Sequence, residues 1–442
     1  PSRMAEVLNR VIEKAFRGSA PAQINVPRDY WTQVIDIELP PIVRFERQGG
    51  GKEAIDKAAK LLSEAKFPVI LSGAGVVIGD AIEDCKKLAE KLDAPVCNGY
   101  QHNDSFPGSH PLAVGPLGYN GSKAGMELIS KADVVLALGT RLNPFSTLPG
   151  YGIDYWPKNA KIIQVDMNPD RIGLTKKVTV GICGDAKMVS QQILEKLTPT
   201  AGDNGRDERK NLIHKTKSAW LQTLTGLDHE EDDPGTVWNK EARERDADRM
   251  SPRQAWRAIQ AGMPEDVIIS SDIGNNCAIG NAYPTFEKPR KYLAPGLFGP
   301  CGYGFPSILG AKIGCPDTPV IGFAGDGAFG ISMNEMSSCA REEWPAITMV
   351  IFRNYQWGAE KRNSILWFDD NFVGTELDPE LSYAKVANAC GLKGVTVKTM
   401  EETTAAIKQS CEDQKKGITT FIEVILNQEL GEPFRRDAMK KP

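Results

Sequence analysis

Short apolar runs that end in a glycine or a polar turn recur along this chain, alternating with stretches in which apolar residues return every three or four positions. Pro68–Leu71 leads into Ser72-Gly73-Ala74-Gly75, Val134–Leu138 into Gly139-Thr140-Arg141, and Ile162–Val165 into Asp166-Met167-Asn168-Pro169. Runs this short and this uniformly apolar predict strands covered on both faces. Ahead of the first, Glu53–Ala65 places Ile55, Ala58, Leu61, Leu62 and Ala65 on one helical face able to cover a sheet. Strand, turn and helix repeated in this order predict a parallel, doubly wound α/β domain.

The pattern breaks and then returns. Charge is dense at Asp203–Lys210, Asp228–Asp233 and Lys240–Arg249, which predicts a solvated connector with one or two short helices, the first pinned to a domain by Trp220, Leu221 and Leu224. Ser251-Pro252 then offers a helix cap and a first-turn proline. Val267–Ser270, Val320–Phe323 and Ile347–Phe352 follow as buried strands of a second α/β unit. At the other end, Met4–Phe16 has amphipathic helical spacing and Ala22–Val26 is strand-like, followed by Pro27-Arg28-Asp29.

Two of the strands end in chemistry. Gly325-Asp326-Gly327 delivers a carboxylate to the carboxyl edge of a sheet, and Asn354 emerges from the next strand at the same edge. An Asp carboxylate, an Asn carbonyl, a backbone carbonyl and diphosphate oxygens form an all-oxygen set suited to magnesium or calcium. Between them Ser332–Cys339 is predicted helical, with Ser332 as N-cap and Glu335 where a capping box places its acid, so that N–H groups at that helix start face an anion. Gly73-x-Gly75 followed by Gly79 lacks the full dinucleotide spacing and its acidic partner, which favours a structural turn.

These residues resemble the thiamine diphosphate signature, a Gly-Asp-Gly start and a later Asn that bracket a metal. Ser270–Asn276, Leu297–Pro306, Phe352–Arg362 and Asn427–Asp437 make the chain similar to the acetohydroxyacid-synthase-like branch of those enzymes. The resemblance runs through the whole chain and is most specific beyond about Arg249. It implies an α/β thiamine diphosphate-binding fold: two doubly wound parallel-sheet domains plus the tail end of a third. Residues 1–45 would close an N-terminal pyrimidine-binding domain, 46–200 form the central domain, 201–250 the connector, and 251–442 the diphosphate-binding domain.

The cofactors so implied are thiamine diphosphate and Mg2+. Asp326, Asn354 and the Gln356 carbonyl would hold the metal, and Asn275, Asn276, Gly299, Cys301, Gly325, Asp326, Gly327, Ala328 and Asn354 would surround the cofactor. Two positions depart from the family. Cys301 stands where a large apolar side chain usually bends the cofactor, and Arg353 replaces the first Asn of a common Asn-Asn ending. The activating glutamate belongs to the first domain, so no residue of this chain is assigned to that role.

The implied activity converts sulfoacetaldehyde and inorganic phosphate to acetyl phosphate and sulfite, in a cytoplasmic homodimer or homotetramer. Because both substrates are anions, Arg353, Lys361, Arg362, Phe434, Arg435 and Arg436 are candidate substrate contacts. The alternatives are another thiamine enzyme, such as acetohydroxyacid synthase or a 2-oxoacid decarboxylase, and a noncatalytic diphosphate-binding module if residues 1–442 are complete. A net charge of -4 from 53 basic and 57 acidic residues gives no attraction to nucleic acid. Nine irregularly spaced cysteines without a Cys-x-x-Cys pair suggest reduced, buried thiols of a cytosolic enzyme. No apolar run approaches a membrane span. His102, His110, His214 and His229 form no local metal cluster.

Overall fold

A computed structural model describes residues 1–18, 20–41, 46–198, 205–226, 244–296, 298–368 and 371–430. Its first sheet contains β1 (Pro68–Ser72), β2 (Val96–Asn98), β3 (Ala113–Pro116), β4 (Val134–Leu138), β5 (Lys161–Asp166) and β6 (Val180–Cys183). All pairs are parallel, in the order β3-β2-β1-β4-β5-β6. Every residue of β1 and β4 is buried, which is why these strands are legible as unbroken apolar runs. The helix Lys52–Glu64 buries Ile55, Ala58, Ala59 and Leu62, and Ala186–Lys196 packs beside it, capped by the Asp185 carboxylate. Gly73 and Gly75 have a packing role: a Cβ at Gly75 would lie 2.6 Å from the Gly139 Cα, so the turns after β1 and β4 fit only without side chains.

The second sheet contains β7 (Ile268–Ser271), β8 (Tyr292–Leu293), β9 (Val320–Gly325), β10 (Thr348–Arg353), β11 (Lys393–Val397) and β12 (Thr420–Ile425). It is again parallel, in the order β11-β12-β10-β9-β7-β8. The chain leaves β7 toward β8 on one side and returns to β9 on the other, so a crevice opens beyond the carboxyl ends of β7 and β9. On one face Trp256 packs against Phe323 and Phe352, and on the other Phe305, Phe329 and Phe421 meet. The helix Pro252–Gly262 that carries Trp256 starts in the expected capping box, with Ser251 and Gln254 each bonding the other's backbone N–H.

Four expectations are corrected. The helix after β9 begins at Asp326 and ends at Ser332; a 3-10 turn at Met333–Glu335 and a short helix Met336–Cys339 follow. Ser332 makes no cap bond, because extended Gly325 already starts the helix and puts its first N–H groups beside Asp326. The connector's first helix is long rather than short, over Arg206–Gly226; residues 244–245 are helical as well, and the acidic run at 230–233 lies outside the described residues. Ala22–Val26 pairs with no strand among the described residues. Cys301 and Cys315 are exposed, whereas Cys85, Cys97, Cys277, Cys339 and Cys411 are buried thiols as expected.

The two sheets are joined by a polar seam. Asn103 donates to the carbonyls of Asn281 and Pro284, both at 2.8 Å, and one Asp104 oxygen accepts the N–H groups of Lys291 (2.9 Å) and Tyr292 (3.3 Å). The connector helix lies along the same junction. Arg209 donates to the Leu92 and Asp93 carbonyls, Trp220 packs edge-on against Tyr151, and the Thr225 carbonyl accepts from Arg257.

Candidate functional site

Asp326 and Asn354 meet because β9 and β10 are adjacent and in register, with Phe352 opposite Gly325. Both are buried, at 1% and 2% exposure. One Asp326 oxygen accepts the Gly327 N–H at 2.9 Å. The other accepts the Tyr355 N–H at 2.7 Å and an Arg353 guanidinium N–H at 3.1 Å. Burial pushes the Asp326 carboxyl up to about 6, against the pull of Arg353 and of these backbone donors. A carboxylate so disfavoured by its surroundings gains from a metal ion.

The strand ends in a strained turn that presents the second half of the set. Tyr355 has a φ of 61°, a conformation costly for a bulky side chain. It is held by its bond to Asp326, by its carbonyl accepting the Leu377 N–H at 2.9 Å, and by its ring lying on Arg353. The turn brings Gln356, paired through its backbone with Glu376, to the edge beside Asn354. Trp357 follows, and a Cβ at Gly327 would lie 2.8 Å from its ring, so the glycine lets the indole close over the helix start.

Across the crevice, at the end of β7, Asp272 is fully buried and organises the loop that contains Gly299 and Cys301. Its carboxylate accepts the N–H groups of Ile273 (2.8 Å), Gly302 (3.1 Å) and Gly304 (2.7 Å). Burial raises its pKa, opposed by those bonds. Asn275 and Asn276 follow, each at 4% exposure. The Asn275 amide nitrogen and the Asn276 amide oxygen are buried without a hydrogen-bond partner among the described residues, as expected of groups that await a polar ligand. The Asn275 donor, together with the all-oxygen trio of Asp326, Asn354 and the Gln356 carbonyl, fits a metal and a diphosphate, while the Asn276 oxygen calls for a donor.

The candidate cations differ in what they touch. Arg353 is fully buried beneath Asp326. Lys361 is paired with Glu376 and also donates to Gln428 at 3.2 Å. Arg362, at 2% exposure, lies 4.8 Å from the Tyr119 ring, and burial lowers its pKa to about 9. Phe434, Arg435 and Arg436 lie outside the described residues. Tyr119, Asp272 and Tyr383 are participants that the sequence reading did not single out. Tyr119 comes from the central domain and donates to the Asn275 side chain at 3.2 Å; Tyr383 donates to the Asp326 carbonyl at 2.9 Å. Only Asp272 left a signal, an acid at the end of a predicted strand. Among the described residues no group of three or more His, Cys, Asp or Glu could hold a metal, so any ion here depends on amide and carbonyl oxygens.

Two successive α/β units with a carboxylate and an amide at the second crevice define the class. The family model "Thiamine pyrophosphate enzyme, central domain" matches residues 55–197, and "Thiamine pyrophosphate enzyme, C-terminal TPP binding domain" matches 272–424. Among curated relatives, the chain is 78% identical over 442 residues to a probable sulfoacetaldehyde acetyltransferase of Rhizobium meliloti, covering 100% of this chain and 75% of that protein. It is 75% identical to a sulfoacetaldehyde acetyltransferase of Roseovarius nubinhibens, with 100% and 73% covered. A probable acetolactate synthase large subunit of Methanococcus aeolicus is more distant, at 28% identity over 92% of this chain and 68% of that one. The crystal structure of benzoylformate decarboxylase from Polynucleobacter necessarius shares the fold, with a TM-score of 0.73, 20% identity, and 98% of this chain and 75% of that chain covered. The chain belongs to the sulfoacetaldehyde acetyltransferase family of thiamine pyrophosphate enzymes. Its cofactor is thiamine diphosphate with Mg2+.

Proposed function

We propose that this chain converts sulfoacetaldehyde and inorganic phosphate to acetyl phosphate and sulfite. The observation that carries the reading is the 78% identity that spans the whole chain, against 28% for an acetolactate synthase relative. Thiamine diphosphate supplies, when bound, a nucleophilic carbon for the aldehyde carbonyl. Asp326, Asn354 and the Gln356 carbonyl would hold Mg2+, and N–H groups at the start of the helix Asp326–Ser332 would be available to the diphosphate. Gly325 leaves open space at that turn, and Gly327 makes room for the Trp357 ring beside Ala328. The Asn275 amide nitrogen would donate to the cofactor and the Asn276 amide oxygen accept from it, while Asp272 fixes the loop of Gly299 and Cys301.

Arg362 is the cation proposed to meet the anionic substrates; in support, the Tyr119 ring lies against its guanidinium and the Tyr119 hydroxyl donates to Asn275. Lys361 adds charge at longer range, since Glu376 already holds its ammonium group. Arg435, Arg436 and Phe434, outside the described residues, remain candidate substrate contacts. A cytoplasmic homo-oligomer is the proposed setting, supported as to compartment by nine unpaired cysteines.

Sulfite release with and without phosphate, together with detection of acetyl phosphate, tests the reaction. Brisk consumption of pyruvate with sulfoacetaldehyde inert would sink the substrate assignment. Asp326→Ala should remove most Mg2+-dependent cofactor binding by calorimetry, and equal affinity for mutant and parent would sink the metal assignment.

A further inference from the structure

Arg353 is the last residue of β10 and has no exposed surface. Its guanidinium is held from several directions. One nitrogen donates to Asp326 at 3.1 Å, another to the Leu381 carbonyl at 2.9 Å and to the Asp378 carbonyl, and Nε lies 3.8 Å from the Glu423 carboxylate. The Tyr355 ring lies 4.2 Å from its central carbon. A fork engaged in this way cannot swing aside. Arg353 is therefore a fixed cation against the one carboxylate of the metal set.

We propose that Arg353 is a positioning residue that lets Asp326 accept a divalent ion only together with the diphosphate. The proposal rests on the cofactor reading given above. An ion that arrives alone meets a positive charge beside its ligand, and two side chains each 1% exposed are little screened by water. A metal–diphosphate complex brings its own negative charge and overcomes that barrier. Glu423 sets the balance. Its carboxylate is held by Ser382 Oγ (2.6 Å), Tyr383 N–H (3.1 Å) and Thr396 Oγ1 (3.1 Å), and it offsets part of the Arg353 charge from the neighbouring strand. Arg353 also ties Asp326 to the 378–381 segment, and so holds the carboxylate in its ligating direction.

The test is a Mn2+ titration of the purified chain followed by electron paramagnetic resonance, with and without thiamine diphosphate. In the parent, Mn2+ should bind tightly only with thiamine diphosphate present. Arg353→Gln should raise the affinity for Mn2+ alone by at least about tenfold and shrink the gain given by the diphosphate. Glu423→Gln should shift the affinity for Mn2+ alone the opposite way. A purely structural role would weaken both variants together, and that result overturns the proposal, as does an unchanged affinity in Arg353→Gln. Should Arg353→Gln not fold, Arg353→Lys keeps the charge without the fork and should bind Mn2+ alone no better than the parent; tighter binding overturns the proposal. If the parent fails to bind Mn2+ even with thiamine diphosphate, the cofactor reading falls and this proposal with it.

Discussion

Removing the Asp272 carboxylate tests whether the second crevice is organised by one buried acid. In Asp272→Ala the N–H groups of Gly302 and Gly304, now bonded at 3.1 and 2.7 Å, lose their acceptor in a position without exposure. The Ile273 bond at 2.8 Å is local and is replaced by water more readily. Hydrogen bonds to a charged group are worth about 1.5–3 kcal/mol each, so the two loop bonds represent roughly 3–6 kcal/mol. Relief from burying a carboxylate, the cause of its raised pKa, returns part of this. The net loss should be about 2–4 kcal/mol, a drop of roughly 1–2 M in the urea midpoint at a slope of about 2 kcal/mol/M. Asp272→Asn keeps one acceptor oxygen and should fall between Ala and the parent. Urea unfolding followed by tryptophan fluorescence measures the series. An Ala variant within about 1 kcal/mol of the parent would refute the reasoning.

Two further perturbations address the domain seam and the core. Burial raises the Asp104 pKa above its ordinary 3.8, opposed by the N–H groups of Lys291 and Tyr292. An acid shifted this way contributes its full stability below the ordinary value and loses it as pH rises through the folded value, so uncharged Asp104→Asn should gain on the parent between pH 4 and pH 7; equal urea-midpoint differences at the two pH values would count against it. Gly280→Ala would set a Cβ 2.2 Å from two ring carbons of Trp256, which is 1% exposed and bonded through its indole N–H to the Asn276 carbonyl at 2.7 Å. A loss of about 3 kcal/mol with a shifted tryptophan emission is expected, and parent-like unfolding would show that the ring can move aside.

Strands buried on both faces were legible because burial and apolarity coincide, as in β1, β4, β9 and β10. β8 was not, since its two residues pair only through the neighbouring β7. β3 contains a glycine and a proline, and nothing local marks it as a strand. The misplaced helix start at Ser332 shows two local signals in competition: a Ser-x-x-Glu spacing imitates a capping box, but the helix had already begun where β9 ends. At the site, Asp326 and Asn354 were visible as strand-end residues of distinctive chemistry. Tyr119 was not, because its part depends on the docking of one domain on another. Arg353 was visible as an unusual cation, but that it faces Asp326 and Glu423 is a property of the packed sheet.

Asn103 and Asp104 grip the second domain by its main chain, at the carbonyls of Asn281 and Pro284 and the amides of Lys291 and Tyr292. A seam written in main-chain atoms is indifferent to most side-chain exchanges on the gripped side, because every residue except proline presents the same amide and carbonyl. It is correspondingly intolerant of changes in length. One residue inserted or deleted between Asn281 and Tyr292 would put those groups out of phase, so homologues are free to vary in spelling across this stretch but should keep its length.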